Sequence, residues 1–142
     1  MALICDTGPL YAAIDQADQD HAACAELLTS NLEPLLVPSP VIVELDWLVG
    51  SRLGPAILQP FLADIEAGAI RVVDLTRQDY ARVHELCARY ADLPLGFVDA
   101  AVLAVVERLG ELKLATLDHR HFRVVQPRHT RSLVLMPDSR PT

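Results

Sequence analysis

Ala2-Leu3-Ile4-Cys5-Asp6-Thr7-Gly8-Pro9 is the stretch whose reading decides the fold. A short apolar run stopped by Asp-Thr-Gly-Pro reads as a buried strand. Pro9 suits the first turn of a helix, which Leu10 to Ile14 can form. A strand that passes directly into a helix opens a β–α unit, and the rest of the chain repeats the pattern.

Asp18 or Asp20 can cap a helix over His21–Thr29. Leu35-Leu36-Val37 is a second short strand, closed by Pro38. Ser39-Pro40 supplies an N-cap and a proline at the first helical position, so a helix is expected from Val41 to about Arg52. Gly54-Pro55 ends it and starts another over Ala56–Ala67, with Gly68 as its cap. Ile70–Val73 is the third strand. Thr76 begins a helix with Tyr80, Val83, Leu86, Cys87 and Tyr90 at helical spacing. After a loop at Asp92–Gly96, a helix from Phe97 or Val98 to Leu109 is apolar on most of its surface, and Gly110 ends it. Lys113–Leu117 and Leu133–Met136 are the last strands. Alternating strands and helices predict an α/β sandwich around a mainly parallel five-stranded sheet.

The chain has 142 residues, which favours one domain, expected over 1–137, with a frayed tail at 138–142. No apolar stretch is long enough to span a bilayer, and the N-terminus lacks the pattern of a signal peptide, so no membrane association and a cytoplasmic address are expected. Cys5, Cys24 and Cys87 form no Cys-x-x-Cys pair and are expected to be buried free thiols. The net charge of −7 argues against a general nucleic-acid binder. It leaves room for a nuclease, because acids gathered for a metal add to the negative count. Arg120, Arg123, Arg128, Arg131 and Arg140 crowd the last quarter; a solvated surface and a phosphate-contacting edge weigh about equally for them.

Four carboxylates fall at the seams between elements. Asp6 and Asp118 each end a strand-like run, and Asp99 lies in the first turn of the helix that leads into the Asp118 strand. Glu44 sits within Val41-Ile42-Val43-Glu44-Leu45, where a buried unpaired charge is expensive. In open α/β sheets, sites form beyond the carboxyl ends of the strands, so these four segments are expected to converge on one edge. Taken singly, Asp6, Asp99 and Asp118 read as caps or turn residues; the joint occurrence favours a hard divalent cation, Mg2+ or Mn2+. Such a cation suits phosphodiester hydrolysis. Thr7 is expected to support the site. Asp92 reads as a loop acid, Glu107 as too far along its helix, and Asp46 as facing elsewhere. His119 and His121, flanked by arginines, read as a basic lip ahead of a ligand role.

Ile4-Cys5-Asp6-Thr7, Val43-Glu44, Phe97-Val98-Asp99-Ala100-Ala101 and Ala115-Thr116-Leu117-Asp118-His119-Arg120-His121-Phe122 occur in the order and spacing of a known family. On these pieces the chain resembles the PIN-domain ribonucleases, and within them the VapC toxins of bacterial and archaeal toxin–antitoxin pairs. The resemblance implies a three-layer α/β/α PIN-like sandwich and an acidic site of Asp6, Glu44, Asp99 and Asp118, with Asp6, Asp99 and Asp118 as metal ligands. It implies a Mg2+-dependent endoribonuclease, Mn2+ substituting, that acts as a homodimer. A VapB-like antitoxin would lay its C-terminal segment across the groove. Many members carry a further acid two or three residues after the last aspartate; Arg120 and His121 stand there instead, which favours one well-formed metal site. Arg120 and Arg123 are the expected RNA contacts. The helix at 98–109 and the region of Trp47-Leu48-Val49 offer partner surfaces, with ordinary core as the plainer reading of Trp47.

Two rivals remain open. A non-catalytic PIN-like module acting through a partner would not need the four acids. A small-molecule phosphohydrolase would carry a second aspartate two residues after the first, where this chain has Gly8.

Overall fold

A computed structural model describes residues 1–138. Of the tail expected at 138–142, all but Asp138 lies outside the described residues, as does Arg140.

The elements follow the chain as β1 (Leu3–Cys5), α1 (Thr7–Ile14), α2 (His21–Ser30), β2 (Leu35–Pro38) and α3 (Ser39–Arg52). A 3-10 turn (Pro55–Leu58), α4 (Gln59–Glu66), β3 (Ile70–Val73), α5 (Arg77–Arg89) and α6 (Phe97–Leu109) come next. β4 (Lys113–Ala115), α7 (His119–Val124) and β5 (Val134–Met136) complete the order. The five strands form one all-parallel sheet in the order β3-β2-β1-β4-β5, flanked by helices as a three-layer α/β/α sandwich.

The strand order places the site. From β1 the chain winds outward through β2 and β3, then returns to add β4 and β5 on the other side. The sense of winding reverses between β1 and β4, and a crevice opens there beyond the strands' carboxyl ends. Cys5 pairs with Ala115 across that boundary, and the next backbone bond runs from Asp6 N to Ala115 O at 2.8 Å.

Several boundaries differ from expectation, each for a local reason. α1 begins at Thr7, because Asp6 itself is the N-cap and accepts from Thr7 N at 2.8 Å. Ser39 lies inside α3 and Pro38 takes the cap position. The helix expected over 56–67 is split, with Pro60 in the first turn of α4 behind a 3-10 turn. β4 stops at Ala115, two residues early, and β5 begins one residue late. α7 was not expected at all; Asp118 caps it by accepting from His121 N at 3.2 Å.

α6 forms the buried spine. Ala100 to Val106 are all buried, so this helix is core and offers little partner surface of its own. Gly110 ends it in the left-handed region at φ 66°, which favours glycine. Trp47 corrects the opposite way: it is 69% exposed, as is Val43 at 72%, so this face of α3 is not core. Cys5 and Cys24 are buried free thiols and Cys87 is half-buried. Burial, with Asp6 adding to it, pushes the Cys5 thiol up to about 12, which leaves it inert.

Arginines staple α5 to α6. Arg82 holds Glu107 in a two-pronged pair at 2.8 and 2.9 Å and reaches Glu85 at 3.1 Å. Arg108 holds Asp79 at 2.9 and 3.1 Å. Arg128 donates its backbone N to Glu107 at 2.7 Å and its guanidinium to Glu85 at 2.6 Å. Glu107 and Arg128 are thereby engaged in structure. No helix among the described residues is long and apolar enough to cross a membrane.

Candidate active site

Asp6, Thr7, Gly8, Glu44, Leu48, Asp99, Leu117 and Asp118 line one open cleft of about 440 Å³ at the β1–β4 crevice. All four predicted acids meet there. Each is delivered by a different element: Asp6 as the cap of α1, Glu44 from the second turn of α3, Asp99 from the first turn of α6, Asp118 as the cap of α7. Glu44 is half-buried at the lip, because Val43 faces solvent and Leu45 takes the core position. Asp92 and Asp46 are exposed and line none of this cleft.

Thr116 holds the two strand ends together, a role its sequence position did not reveal. Its Oγ1 donates to Asp6 Oδ2 at 2.9 Å and accepts from Asp118 N at 3.1 Å. It is fully buried, so neither bond competes with water. Gly8 lets this segment approach closely: a Cβ there would meet Leu117 Cβ at 3.2 Å, so Leu117 would have to give by a few tenths of an ångström.

The electrostatics are those of clustered, partly buried acids with no arginine or lysine among the described residues that line the cleft. Burial raises the Asp6 carboxyl from its ordinary value to about 7, and Asp99 and Glu44 add to the rise. The bonds from Thr7 N and Thr116 oppose it. Asp99 is also raised, first by burial, then by Asp118 and Glu44, with His121 acting against.

Asp99, Asp118 and His121 each present one ligand atom, and these atoms lie within 4.8 Å of one another. Asp6, expected as a ligand, stands outside this triplet with both oxygens already accepting a hydrogen bond. His121, expected on a basic lip, completes the triplet instead. The register explains the placement: with Asp118 at the N-cap, His121 is the third helical residue, where a side chain reaches back over the cap. Nδ1 of His121 comes within 2.6 Å of Asp118 Oδ2 without the alignment of a hydrogen bond. The Thr7 hydroxyl is buried and takes no hydrogen-bond partner. An orphaned hydroxyl, a mixed carboxylate–imidazole set and unneutralised acids together fit a divalent cation.

The predicted RNA contacts are placed less directly. Arg120 is exposed on α7 and Arg123 lines a separate depression with Ser132, Leu133, Leu135 and Asp138. Beside the cleft, and sharing Glu44 with it, runs an apolar groove of about 600 Å³. Val43, Trp47, Tyr80, Phe97 and Val98 form most of its wall.

Comparison with known proteins bears on this cleft. The family model for the PIN domain matches residues 3–126. Ribonuclease VapC26 of Mycobacterium tuberculosis is 32% identical over 125 residues, spanning 88% of this chain and 93% of that protein. Among solved structures, the sarcin–ricin loop cleaving toxin VapC20 of Mycobacterium tuberculosis superposes with a TM-score of 0.81 at 22% identity, over 92% of this chain and 99% of that one. VapBC2 from Rickettsia felis, solved bound to a promoter DNA fragment, gives 0.68 at 20% identity, over 95% and 97%. With its acids gathered at the reversal of an all-parallel sheet and its sequence matched from β1 through α7, the chain belongs to the PIN-domain family, among the VapC proteins.

Proposed function

We propose that this protein is a divalent-metal-dependent endoribonuclease that hydrolyses RNA phosphodiester bonds as the toxin of a toxin–antitoxin pair. One observation carries the reading: four acids from four elements converge on one cleft, and among the described residues no arginine or lysine lines it. The 32% identity to a protein named a ribonuclease supports the same chemistry.

Asp99 and Asp118 would hold the cation, Mg2+ or Mn2+, with Asp6 behind them. When bound, that cation supplies Lewis-acid charge toward a phosphate oxygen. Asp6 keeps the two strand ends in register through Thr116 and adds negative charge that draws the cation in. Glu44, at the cleft's lip, would accept a proton from an attacking water. The Thr7 hydroxyl can orient that water. Arg120 and Arg123 on α7 would meet flanking phosphates, offsetting the acidic field.

Related solved assemblies are named as toxin–antitoxin or VapBC complexes, which supports a VapB-like antitoxin as partner. An antitoxin arginine in the acid cleft would neutralise it by carboxylate–guanidinium pairing. The apolar groove beside Glu44 supports a protein contact, whether with that antitoxin or in a homodimer. We place the action in the cytoplasm, where RNA is at hand. A non-catalytic module is disfavoured, because it would not require all four acids in one cleft.

The test is cleavage of RNA by the purified chain with Mg2+ or Mn2+. Asp99→Asn should lower the rate about 10³-fold or more, as expected when several kcal/mol of charge stabilisation are lost. Asp6→Asn should act similarly, with both variants folded by circular dichroism. Undiminished cleavage by both would overturn the assignment.

A further inference from the structure

We propose that His121 is a nitrogen ligand in the cation site and that it gives the site a preference for Mn2+ over Mg2+. This rests on the metal-site reading above and sharpens it.

Three features of the cleft support it. The ligand atoms of Asp99, Asp118 and His121 already lie within 4.8 Å of one another, so one ion can reach all three. Nδ1 of His121 is buried and faces Asp118 Oδ2 at 2.6 Å without the alignment of a hydrogen bond, so an ion between them can take this nitrogen. Independently, the Thr7 hydroxyl is buried to 3% exposure, lines the same cleft and has no partner. An imidazole nitrogen without an aligned hydrogen bond and an unpartnered hydroxyl, from opposite ends of the chain, therefore border the same acids, as expected where a hydrated ion belongs.

The chemistry of the set then selects the ion. Mg2+ is small and hard, and prefers an all-oxygen octahedron that retains water. Imidazole suits the transition metals, and affinity for a mixed nitrogen–oxygen site rises from Mn2+ along the first row. Mn2+ accepts both carboxylate and imidazole, so replacing an oxygen donor by His121 weakens the site for Mg2+ more than for Mn2+. His119, two residues earlier, does not share this position. It lines another depression with Gln19, Asp20, Leu117 and Pro137.

The competing role for His121 is as a protonated partner of Asp118, 2.6 Å away, standing in for the cation itself. Electron spin-echo spectroscopy of Mn2+ added to the full chain separates the two. Nitrogen modulation from a directly bound imidazole is expected in the wild-type protein and absent in His121→Ala and His121→Asp. In titrations, His121→Ala should weaken Mn2+ binding about tenfold or more and Mg2+ binding by less than about threefold. His121→Asp should restore metal binding through oxygen and bring Mg2+ level with Mn2+, which shows that loss in the alanine variant is not misfolding. Mn2+ bound to the wild type without nitrogen modulation would overturn the role of His121 while leaving a carboxylate metal site intact. Modulation that persists in His121→Ala would overturn it in favour of another histidine. No Mn2+ or Mg2+ binding to the wild type would overturn both this inference and the metal-site reading.

Discussion

Asp6 and Asp79 are almost equally buried, at 6% and 3% exposure, and their surroundings differ in kind. Asp79 caps α5 with Thr76 and is gripped by Arg108. Its neighbour Glu107 is gripped by Arg82, itself 7% exposed. On that side of the molecule every buried acid has a guanidinium. On the other side, Asp6 has only a hydroxyl and a backbone amide as donors, and Asp99 and Glu44 as like-charged neighbours. Burying an unpaired charge costs stability, and a sequence able to supply arginine at one seam omits it at the other. The contrast separates acids closed by a guanidinium from acids that line a cleft with no arginine or lysine among the described residues.

That contrast can be broken first from the paired side. Arg82→Met leaves Glu107 buried with only the Arg128 amide, and should cost about 3 kcal/mol in urea melts. Adding Glu107→Leu should recover most of the loss, and cleavage per folded molecule should be unchanged in both. The reverse holds on the open side. Because Asp6 is raised from 3.8 to about 7 in the folded chain, the folded state binds its proton more tightly than the unfolded one. The Asp6 contribution to metal-free stability should therefore be fullest below the ordinary carboxylate value, be lost as pH rises to about 7, and level off above. Asp6→Asn should flatten that slope and stabilise the chelator-treated protein above pH 7 by about 2 kcal/mol. A stability loss of similar size under those conditions would show that Asp6 is structural, like Asp79.

Two smaller changes sharpen the boundary. Thr116→Val removes a donor to Asp6 and the acceptor of Asp118 N, and should cost about 1 kcal/mol. It should also shift the acid limb of the pH–rate profile upward, since one bond favouring the charged Asp6 is gone. Gly8→Ala pushes on Leu117 between Thr116 and Asp118, and should cost about 0.5 kcal/mol in stability while lowering cleavage measurably. Equal effects on melting and on rate would mean that this approach serves packing alone.

Much of this was readable from residues alone, and the gaps have physical causes. Short apolar runs closed by Asp or Pro mark β1, β2 and β4, since a parallel strand buried on both faces needs no alternation. The four acids were legible because Asp6 and Asp118 end apolar runs, Asp99 opens one and Glu44 interrupts one. Thr116 was not, since a threonine in a strand-like run is ordinary until its hydroxyl is seen to bridge two aspartates. α7 has only six residues, too few to show a helical period. Missing it hid the register that folds His121 back over Asp118, although an aspartate followed three residues on by a polar side chain is a capping signal. Trp47 and Tyr80 sit at helical spacing with core residues yet face outward, which periodicity alone cannot distinguish.

The exposed Trp47 has a practical consequence. It is the chain's sole tryptophan, one helical turn beyond Glu44 and on the wall of the groove that Glu44 shares with the acid cleft. Its emission should be that of a hydrated indole. Any molecule that covers the groove will shift that emission to the blue, and a paramagnetic ion in the cleft will dim it. The protein thus carries its own optical probe of occupancy, and no dye needs to be attached.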